Sequence, residues 1–244
     1  MINADFIRIK QKIMSADPKR YWGDDFDVRF LLISNLKKLK GKKILDIGGG
    51  IGIISSEIDK SNHRINIDVS LSDLMVCKEK IDPSIDNICA SWTDLPFIDN
   101  YFDDVICSHI VDIAKGADLE KNKSLKNDEI YKYPTTVKAI SEAHRVLRSG
   151  GILFLTTPNN TYYRSIKLSY DELKKLITNY FVEYSIIFYN TFPRLSKKYR
   201  KFNLANVVPK LLSKVFSRVY IIKNILPKNN ESNSVSFYLE SSKN

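Results

Sequence analysis

The stretch that decides the fold is Lys43 to Gly52, which reads K-I-L-D-I-G-G-G-I-G. Its first half is a short apolar run that suits a strand buried on both faces, and its second half places four glycines in five positions. A strand that leads into a glycine turn and then a helix is typical of nucleotide sites, because glycine lets the backbone approach a ligand and the free N–H groups of the helix start face it. The stretch therefore predicts a nucleotide site at this turn.

The glycine spacing narrows the class of ligand. A dinucleotide fingerprint, G-x-G-x-x-G, would need a third glycine at position 53, where the chain has Ile53. Asp46 to Gly52 instead follows the pattern D-x-G-x-G-x-G. Arg64 to Asp68 predicts the next strand, and Asp68 at its end follows Asp46 by 22 residues, close to where a ribose-binding acid is expected.

This pattern resembles motif I of the class I S-adenosylmethionine-dependent methyltransferases. The resemblance implies S-adenosylmethionine as the cofactor and Asp68 as the acceptor of hydrogen bonds from both ribose hydroxyls, a role that suits a carboxylate with two acceptor oxygens. An ordinary tight turn and an exposed loop aspartate are the alternative interpretations. The cofactor-binding residues predicted at these two turns are Asp46, Gly48, Gly49, Gly50, Asp68 and Val69.

Two later segments extend the resemblance in the same order along the chain. Leu95 to Asp103 fits L-P-F-x-D-x-x-F-D and resembles the type 11 methyltransferases, and Arg145 to Gly151 resembles their R-V-L-K-P-G-G segment. The family usually has an acid and an alanine where this chain has Ser91 and Trp92, which puts the adenine contact in doubt. Serine can still accept a hydrogen bond and Trp92 could lie against the adenine, so both are predicted to bind the cofactor.

The end of the next predicted strand is expected to lie near the methyl acceptor. Asp104 to Ser108 is followed by His109, and in open α/β sheets ligands bind outside the carboxyl ends of the strands. Ser108 is therefore predicted to border the cofactor. His109 is the candidate general base, because histidine side chains ordinarily titrate near neutral pH and methyl transfer to a hydroxyl must release a proton. A histidine that only lines the pocket is the alternative.

The alternation of strands and helices predicts one α/β domain over residues 1–244. The resemblance implies a Rossmann-like seven-stranded, mostly parallel sheet with helices on both faces, in which Tyr180 to Tyr189 and Ser234 to Glu240 form an edge hairpin and the last strand is antiparallel. Residues 1–40 predict an N-terminal helical cap. Residues 112–134 predict a charged insertion, either a mobile lid, a substrate-recognition loop or solvated surface.

The apolar spacing also predicts individual helices. Ile53 to Ile58 gives the first crossover a helical apolar face, and Val137 to Leu147 predicts an amphipathic helix that ends at Gly150 and Gly151. A further helix is expected to begin at Ser169.

The positive charge is concentrated at the end of the chain. The formal net charge is +10, and residues 191–244 hold 11 Lys and Arg against 2 Asp and Glu. Within the predicted insertion 191–233, apolar residues from Leu204 to Leu226 recur at steps of three and four with basic residues between them. This pattern predicts a basic amphipathic helix that lies in a membrane interface, or one that packs on the sheet edge or on a second subunit.

The rest of the composition narrows the class of protein. No stretch approaches the roughly 20 apolar residues of a membrane span, and the first residues lack a signal-peptide core, so a cytoplasmic location is expected, with peripheral membrane association if the basic helix lies in the interface. Cys77, Cys89 and Cys107 are widely spaced and predict reduced thiols with no metal site.

Three hypotheses for function follow. The first is a methyltransferase of a small molecule, such as a lipid or lipid-linked sugar reached from an anionic membrane surface. The second is an RNA or protein methyltransferase that uses the basic C-terminal region, ranked lower because no nucleic-acid module with interleaved aromatics is evident. The third is a protein that binds S-adenosylmethionine without catalysing a reaction. The S-H-I-V sequence after the fourth strand and the absence of a Pro-Cys pair argue against amino-methylating and cytosine-C5 enzymes of nucleic acids.

Overall fold

The computed structural model describes residues 9, 11–13, 15–16, 32–121, 132–158, 168–189 and 236–243. Its strands form one sheet in the order β3-β2-β1-β4-β5-β7-β6. Strands β1 to β5 pair in parallel, and β7 runs antiparallel to both β5 and β6. The strands are β1 (Lys43–Ile47), β2 (His63–Asp68), β3 (Asp86–Cys89), β4 (Phe102–Ser108), β5 (Leu147–Pro158), β6 (Glu183–Tyr189) and β7 (Ser236–Ser242), and the helices are α1 (Leu71–Val76), α2 (Ile110–Lys121), α3 (Pro134–Val146) and α4 (Tyr170–Thr178).

The central strands bury side chains on both faces of the sheet. Leu45 of β1 belongs to one apolar cluster, which α2, α3 and α4 cover. Its neighbour Ile44 belongs to a second cluster on the opposite face, which the helical residues 32–36 and the end of α1 cover. Because successive side chains of a strand point to opposite faces, this division shows layers on both sides of the sheet. The predicted α/β class with a Rossmann-like sheet and flanking helices is confirmed.

The first crossover differs from its prediction. Residues 48–62, all described, contain turns and a short 3₁₀ helix, Ser55–Glu57, in place of the predicted α-helix. The residues Ile53, Ile54 and Ile58 are nevertheless buried, so they pack into the core from a segment of turns. β-branched isoleucines favour a helix less than unbranched residues do, and Gly52 has a φ of +71°, which a helix does not accept. The backbone donors of the site therefore come from the glycine turn and not from a helix start.

The two glycines after α3 also have a different role from the predicted one. Helix α3 already ends at Val146, and β5 begins at Leu147. Gly150, with a φ of +72°, lies inside β5 where its pairing with β4 shifts register. A Cβ on Gly151 would lie 2.6 Å from the carbonyl oxygen of Asp103. The glycines thus form a strand irregularity with close backbone contact and do not cap the helix.

Part of the predicted charged insertion is packed structure. Residues 112–121 belong to α2, where Lys115 is buried and its Nζ lies 2.8 Å from Glu172 Oε1 of α4. Asp118 accepts hydrogen bonds from the backbone N–H groups of Thr135 and Thr136 at the start of α3, each at 3.1 Å. Lys115 and Asp118 are therefore held within the fold, whereas Glu120 and Lys121 of the same helix are exposed, and the role of the insertion as lid, recognition loop or surface stays a prediction.

Several predicted segments lie outside the described residues. These are residues 122–131 of the charged insertion, the whole of 191–233 and most of the predicted N-terminal cap. Within the part of the chain that is described, no helix is long and apolar enough to cross a bilayer.

Candidate active site

The carboxyl ends of β1 to β5 form one edge of the sheet, called here the carboxyl edge. At this edge β1 runs into the glycine turn, Gly48 to Gly52. Asp46, the penultimate residue of β1, is buried, and its Oδ2 accepts a hydrogen bond from Ser55 Oγ at 2.7 Å. Asp46 therefore ties the strand to the far side of the turn, which fixes the turn's path.

The glycines of the turn are required by the protein's own packing. Gly48 has a φ of +65°, and a Cβ on it would lie 1.9 Å from Cδ1 of Ile110. A Cβ on Gly49 would lie 2.2 Å from Oδ1 of Asn66. The sequence alone attributes these glycines to the approach of a ligand, whereas the structure shows that side chains of neighbouring elements already occupy the space.

Asp68 is bonded directly to the glycine turn. Its Oδ2 accepts from the Gly50 N–H at 2.9 Å, and its Oδ1 accepts from the Ser70 N–H at 2.9 Å. These bonds fix the orientation of the carboxylate, and each oxygen has capacity for a further donor. Val69, the next residue, is exposed. The structure therefore brings together the glycine turn, Asp68 and Val69, as the sequence predicts.

The two residues that depart from the family pattern behave differently from each other. Ser91 Oγ lies 2.8 Å from Thr93 Oγ1 and accepts from the Thr93 N–H at 3.2 Å, so its hydroxyl is engaged in a local turn. Trp92 packs against the apolar cluster beneath α2 to α4. Its Nε1 is buried and has no hydrogen-bond partner among the described residues. Trp92 is thus the residue of this pair that retains a donor for a ligand.

His109 has an unusual backbone conformation. Its φ is +62°, which costs a non-glycine residue about 1 to 2 kcal/mol, and its side chain is nearly buried. The His109 N–H donates to the carbonyl oxygen of Thr156 in β5 at 2.8 Å, and the neighbouring Ser108 Oγ lies 3.0 Å from Thr156 Oγ1. Strained residues of this kind concentrate at functional sites. The next residue, Ile110, is the one that meets Gly48, so His109 lies beside the glycine turn.

Sequence analysis misses two residues at this edge. Thr156 anchors both Ser108 and His109, and Asp112 places Oδ1 at 3.9 Å from His109 Nδ1. The polar Thr-Thr pair that ends the apolar run of β5 could have indicated Thr156, by the same logic that selects Ser108. Asp112 could not be found from spacing alone, because its position depends on the sharp bend at His109.

The two later signature segments bind one another away from the carboxyl edge. Arg145 donates to the backbone oxygens of Leu95 and Phe97 at 3.0 and 2.7 Å, and to Asp99 at 2.9 Å. It also bonds both carboxylate oxygens of Glu142, which accepts from the Leu95 N–H at 2.9 Å. The Arg145 hydrogen bonds hold the pKa of Glu142 at about 2, against an ordinary value of 4.5. This Arg145 clasp fixes the segment that leads into β4.

The residues at the carboxyl edge fit S-adenosylmethionine. Asp68 supplies an oriented carboxylate for hydroxyl groups, and its bond to the Gly50 N–H places it beside the backbone of the glycine turn. The side chains of Val69, Leu71 and Met75, which follow Asp68 in the chain, are apolar and exposed. The buried Nε1 of Trp92 adds a donor without a partner in the described chain.

Comparison with known proteins points to the same family as the sequence pattern. Residues 45–155 match the type 11 family model, which is described as a methyltransferase domain. This part of the chain resembles a class I methyltransferase domain. The match supports the predicted family.

Relatives in sequence include methyltransferases named for quinone biosynthesis. The ubiquinone/menaquinone biosynthesis C-methyltransferase UbiE of Neisseria meningitidis is 28% identical over 170 residues, which are 67% of this chain and 59% of that protein. The chain thus spans less than two thirds of that relative's length.

Solved structures share the methyltransferase fold at low identity. Phosphoethanolamine N-methyltransferase 2 of Haemonchus contortus, in complex with S-adenosyl-L-methionine, has a TM-score of 0.54 and 15% identity over 89% of this chain and 52% of its own. The [4+2]-cyclase SpnF has a TM-score of 0.55 and 14% identity over 99% of this chain and 94% of its own. Because a cyclase has the same fold, the fold alone does not determine the reaction.

Proposed function

We propose that the protein transfers a methyl group from S-adenosylmethionine to a small molecule. The observation that carries this proposal is the hydrogen bond between the Gly50 N–H and Asp68 Oδ2, at the same edge of the sheet as His109. It joins the two halves of the cofactor fingerprint into one site. The names of the sequence relatives support a small organic acceptor.

The residues proposed to hold the cofactor are those of the carboxyl edge. Asp68 would bind the ribose hydroxyls, Val69 and Trp92 would contact the base, and the turn from Gly48 to Gly50 would approach the cofactor through backbone. Asp46, Ser91 and Ser108 act as supports, since the first two are bonded within the turns and Ser108 is bonded to Thr156. When bound, the sulfonium group makes its methyl carbon electrophilic, so the protein's contribution is to orient the acceptor and exclude water.

His109 is proposed as the base that receives the acceptor's proton. It lies at the end of β4 between the glycine turn and β5, with little solvent exposure. A neutral imidazole can accept a proton near pH 7, and the low exposure limits competition from water.

The finer proposal for the substrate is a lipid or a lipid-linked sugar at the membrane surface. Its support comes from the basic amphipathic pattern from Leu204 to Leu226, which lies outside the described residues, and from the quinone-modifying names of the relatives. An RNA or protein substrate for the same basic region is the competing proposal, and binding of the cofactor without catalysis is the other.

The experiment that tests the cofactor site is titration calorimetry with S-adenosylmethionine, S-adenosylhomocysteine and NAD. The wild-type protein should bind the first two and not NAD. Asp68→Asn keeps the shape of the side chain but replaces one acceptor oxygen and the charge, so affinity should fall by about 10 to 100-fold, as expected for hydrogen bonds to a charged group.

The matched control is Asp86→Asn. Asp86 begins β3 at the opposite edge of the sheet, where it contacts His63, so its replacement should change cofactor affinity by less than about twofold. Thermal unfolding of both variants monitors folding. If folded wild-type protein bound neither S-adenosyl compound, or if both variants bound equally well, the proposed site would be wrong.

A further inference from the structure

Asp112 and His109 occupy defined positions at the start of α2. Helix α2 begins at Ile110, so His109 directly precedes the helix and Asp112 is its third residue. Nδ1 of His109 lies 3.9 Å from Oδ1 of Asp112, and both side chains are at least 85% buried. An ion pair at this distance forms when the imidazole is protonated, and the contact can shorten to a hydrogen bond when a substrate is present.

An acid at the third helix position has an ordinary structural explanation. Such an acid accepts a hydrogen bond from the backbone N–H of the residue that precedes the helix, as in a capping box. Here the His109 N–H donates to Thr156 O at 2.8 Å, so β5 already satisfies it. The carboxylate of Asp112 is instead close to the imidazole of the same residue.

The left-handed conformation of His109 produces this arrangement. A helical or extended φ would end the β4 pairing differently and would move the side chain away from the first turn of α2. Of the described residues beside His109, Ser108 and Thr156 carry hydroxyl groups that lie 3.0 Å apart. The backbone strain is therefore accompanied by an acid and a base placed in contact.

We infer that Asp112 is a positioning residue for His109, which holds the imidazole by Nδ1 and so keeps Nε2 as the nitrogen that accepts the substrate's proton. The inference rests on the proposed function. As the acceptor atom formed its bond to the methyl carbon, the bond from that carbon to the cofactor's sulfur would break, with its electron pair staying on sulfur, and the acceptor's proton would pass to Nε2. Asp112 would balance the positive charge of the imidazolium, and the proton would pass to water after the product leaves. A carboxylate beside Nδ1 favours the neutral tautomer with its proton on that nitrogen.

The test is ¹⁵N NMR of histidine-labelled protein across pH. The chain has three histidines, so His63 and His144 serve as internal references and His109→Asn assigns the third signal. In the wild type, neutral His109 should carry its proton on Nδ1. In Asp112→Asn, where the carboxylate beside Nδ1 is removed, its two neutral tautomers should become mixed.

The matched control is Asp73→Asn. Asp73 is the third residue of α1, where Ser70 and not histidine precedes the helix. Both substitutions remove an acid from a first helical turn, so both should lower stability by a similar small amount, but the control should leave the His109 signals unchanged.

The outcomes separate this inference from the proposed function. Cofactor affinity in Asp112→Asn should stay within about twofold of wild type, so loss of cofactor binding in wild-type protein would overturn the function and not the pairing. A wild-type His109 with its proton on Nε2, or an unchanged tautomer in Asp112→Asn, would overturn the inference. The wild-type tautomer decides the matter even if the variant does not fold.

Discussion

At the scale of single residues, the glycine turn shows how two separate requirements can make glycine necessary at one position. Gly48 needs its left-handed φ, and it also needs to lack a Cβ because Ile110 fills the space. A ligand that approaches this backbone adds a third requirement, but the first two hold in its absence. The glycines of the fingerprint are therefore expected to affect stability as well as binding.

Gly48→Ala should lower the free energy of unfolding by about 2 to 4 kcal/mol, as the sum of the left-handed φ and the clash with Ile110. The measurement is urea unfolding followed by circular dichroism. Gly41→Ala is the matched control, because Gly41 has nearly the same φ, +64°, with nothing within 4 Å of a Cβ, so it should cost only the φ contribution.

The clash itself is tested by a double-mutant cycle with Ile110→Val, which removes the Cδ1 atom. The coupling free energy of unfolding between Ile110→Val and Gly48→Ala should be about 1 kcal/mol in favour of the double variant, and that between Ile110→Val and Gly41→Ala should be zero. Equal losses in the two glycine variants would show that the packing at Gly48 has been misjudged.

Residues of the site differ in how far the sequence reveals them. Asp68 could be predicted because its distance from Asp46 follows from the length of one strand and crossover. The local use of Ser91 could not, since its partner Thr93 is chosen by the shape of a turn. Asp112 could not either, because only the bend at His109 brings it to the imidazole.

At the scale of elements, the Arg145 clasp joins α3 to the segment before β4. Glu142 is ionised within it, with a pKa held at about 2 by the hydrogen bonds from Arg145 and then by the bond from the Leu95 N–H against the effect of burial. A carboxyl whose folded pKa is depressed stabilises the protein above its unfolded pKa of about 4.5, and this contribution is lost as the pH falls toward 2.

Glu142→Gln should therefore lower the free energy of unfolding by about 1.5 to 3 kcal/mol at pH 7, and the difference from wild type should shrink between pH 5 and pH 3. Urea unfolding at pH 7, 5, 4 and 3 measures both quantities. Glu79→Gln, in the π-helical segment Cys77–Ile81 after α1, changes an exposed side chain; it is the control and should follow the wild-type curve. A wild-type advantage over Glu142→Gln that stays constant with pH would contradict the assigned pKa.

Element boundaries were predictable where local chemistry decides them. Ser169 begins α4 with a complete capping box, and the spacing of its apolar residues matches the helix. The first crossover was not predictable, because the apolar spacing from Ile53 to Ile58 is satisfied equally by buried turns. Gly150 and Gly151 follow a helix in the sequence, but pairing with β4 extends the strand back to Leu147.

At the scale of the whole molecule, the class of fold followed from alternating strands and helices, while the order of strands followed only from the family resemblance. The net positive charge is concentrated outside the described part of the fold. Nearly all of the net charge of +10 belongs to residues 191–244, whereas lysines of the described region are in several cases paired, as Lys42 is with Asp104 at 2.7 Å.

If the basic region meets an anionic membrane, the protein should float with vesicles that contain phosphatidylserine and not with neutral vesicles. Replacement of Lys210, Lys214, Arg218 and Lys223 by glutamine should abolish flotation, since each basic residue near such a surface contributes about 1 kcal/mol. The control changes charge equally on exposed lysines of the described region, Lys60, Lys78, Lys80 and Lys121, and should float like wild type.

Salt dependence and RNA binding separate the remaining explanations. Flotation should weaken as salt rises from about 0.1 to 1 M, because the Debye length falls from about 10 to 3 Å. No flotation with either lipid, together with retention on RNA that the four glutamines remove, would contradict the membrane proposal and favour a nucleic-acid substrate.

The Arg145 clasp has a consequence for how proteins of this kind are recognised. The segments that make the chain easiest to classify are Leu95 to Asp103 and Arg145 to Gly151, and Arg145 joins them by hydrogen bonds that stabilise the fold. A descendant that had lost its chemistry but still needed to fold would keep them. Surveys that rely on these segments will therefore gather inactive descendants together with working enzymes, and the carboxyl edge is where the two can be told apart.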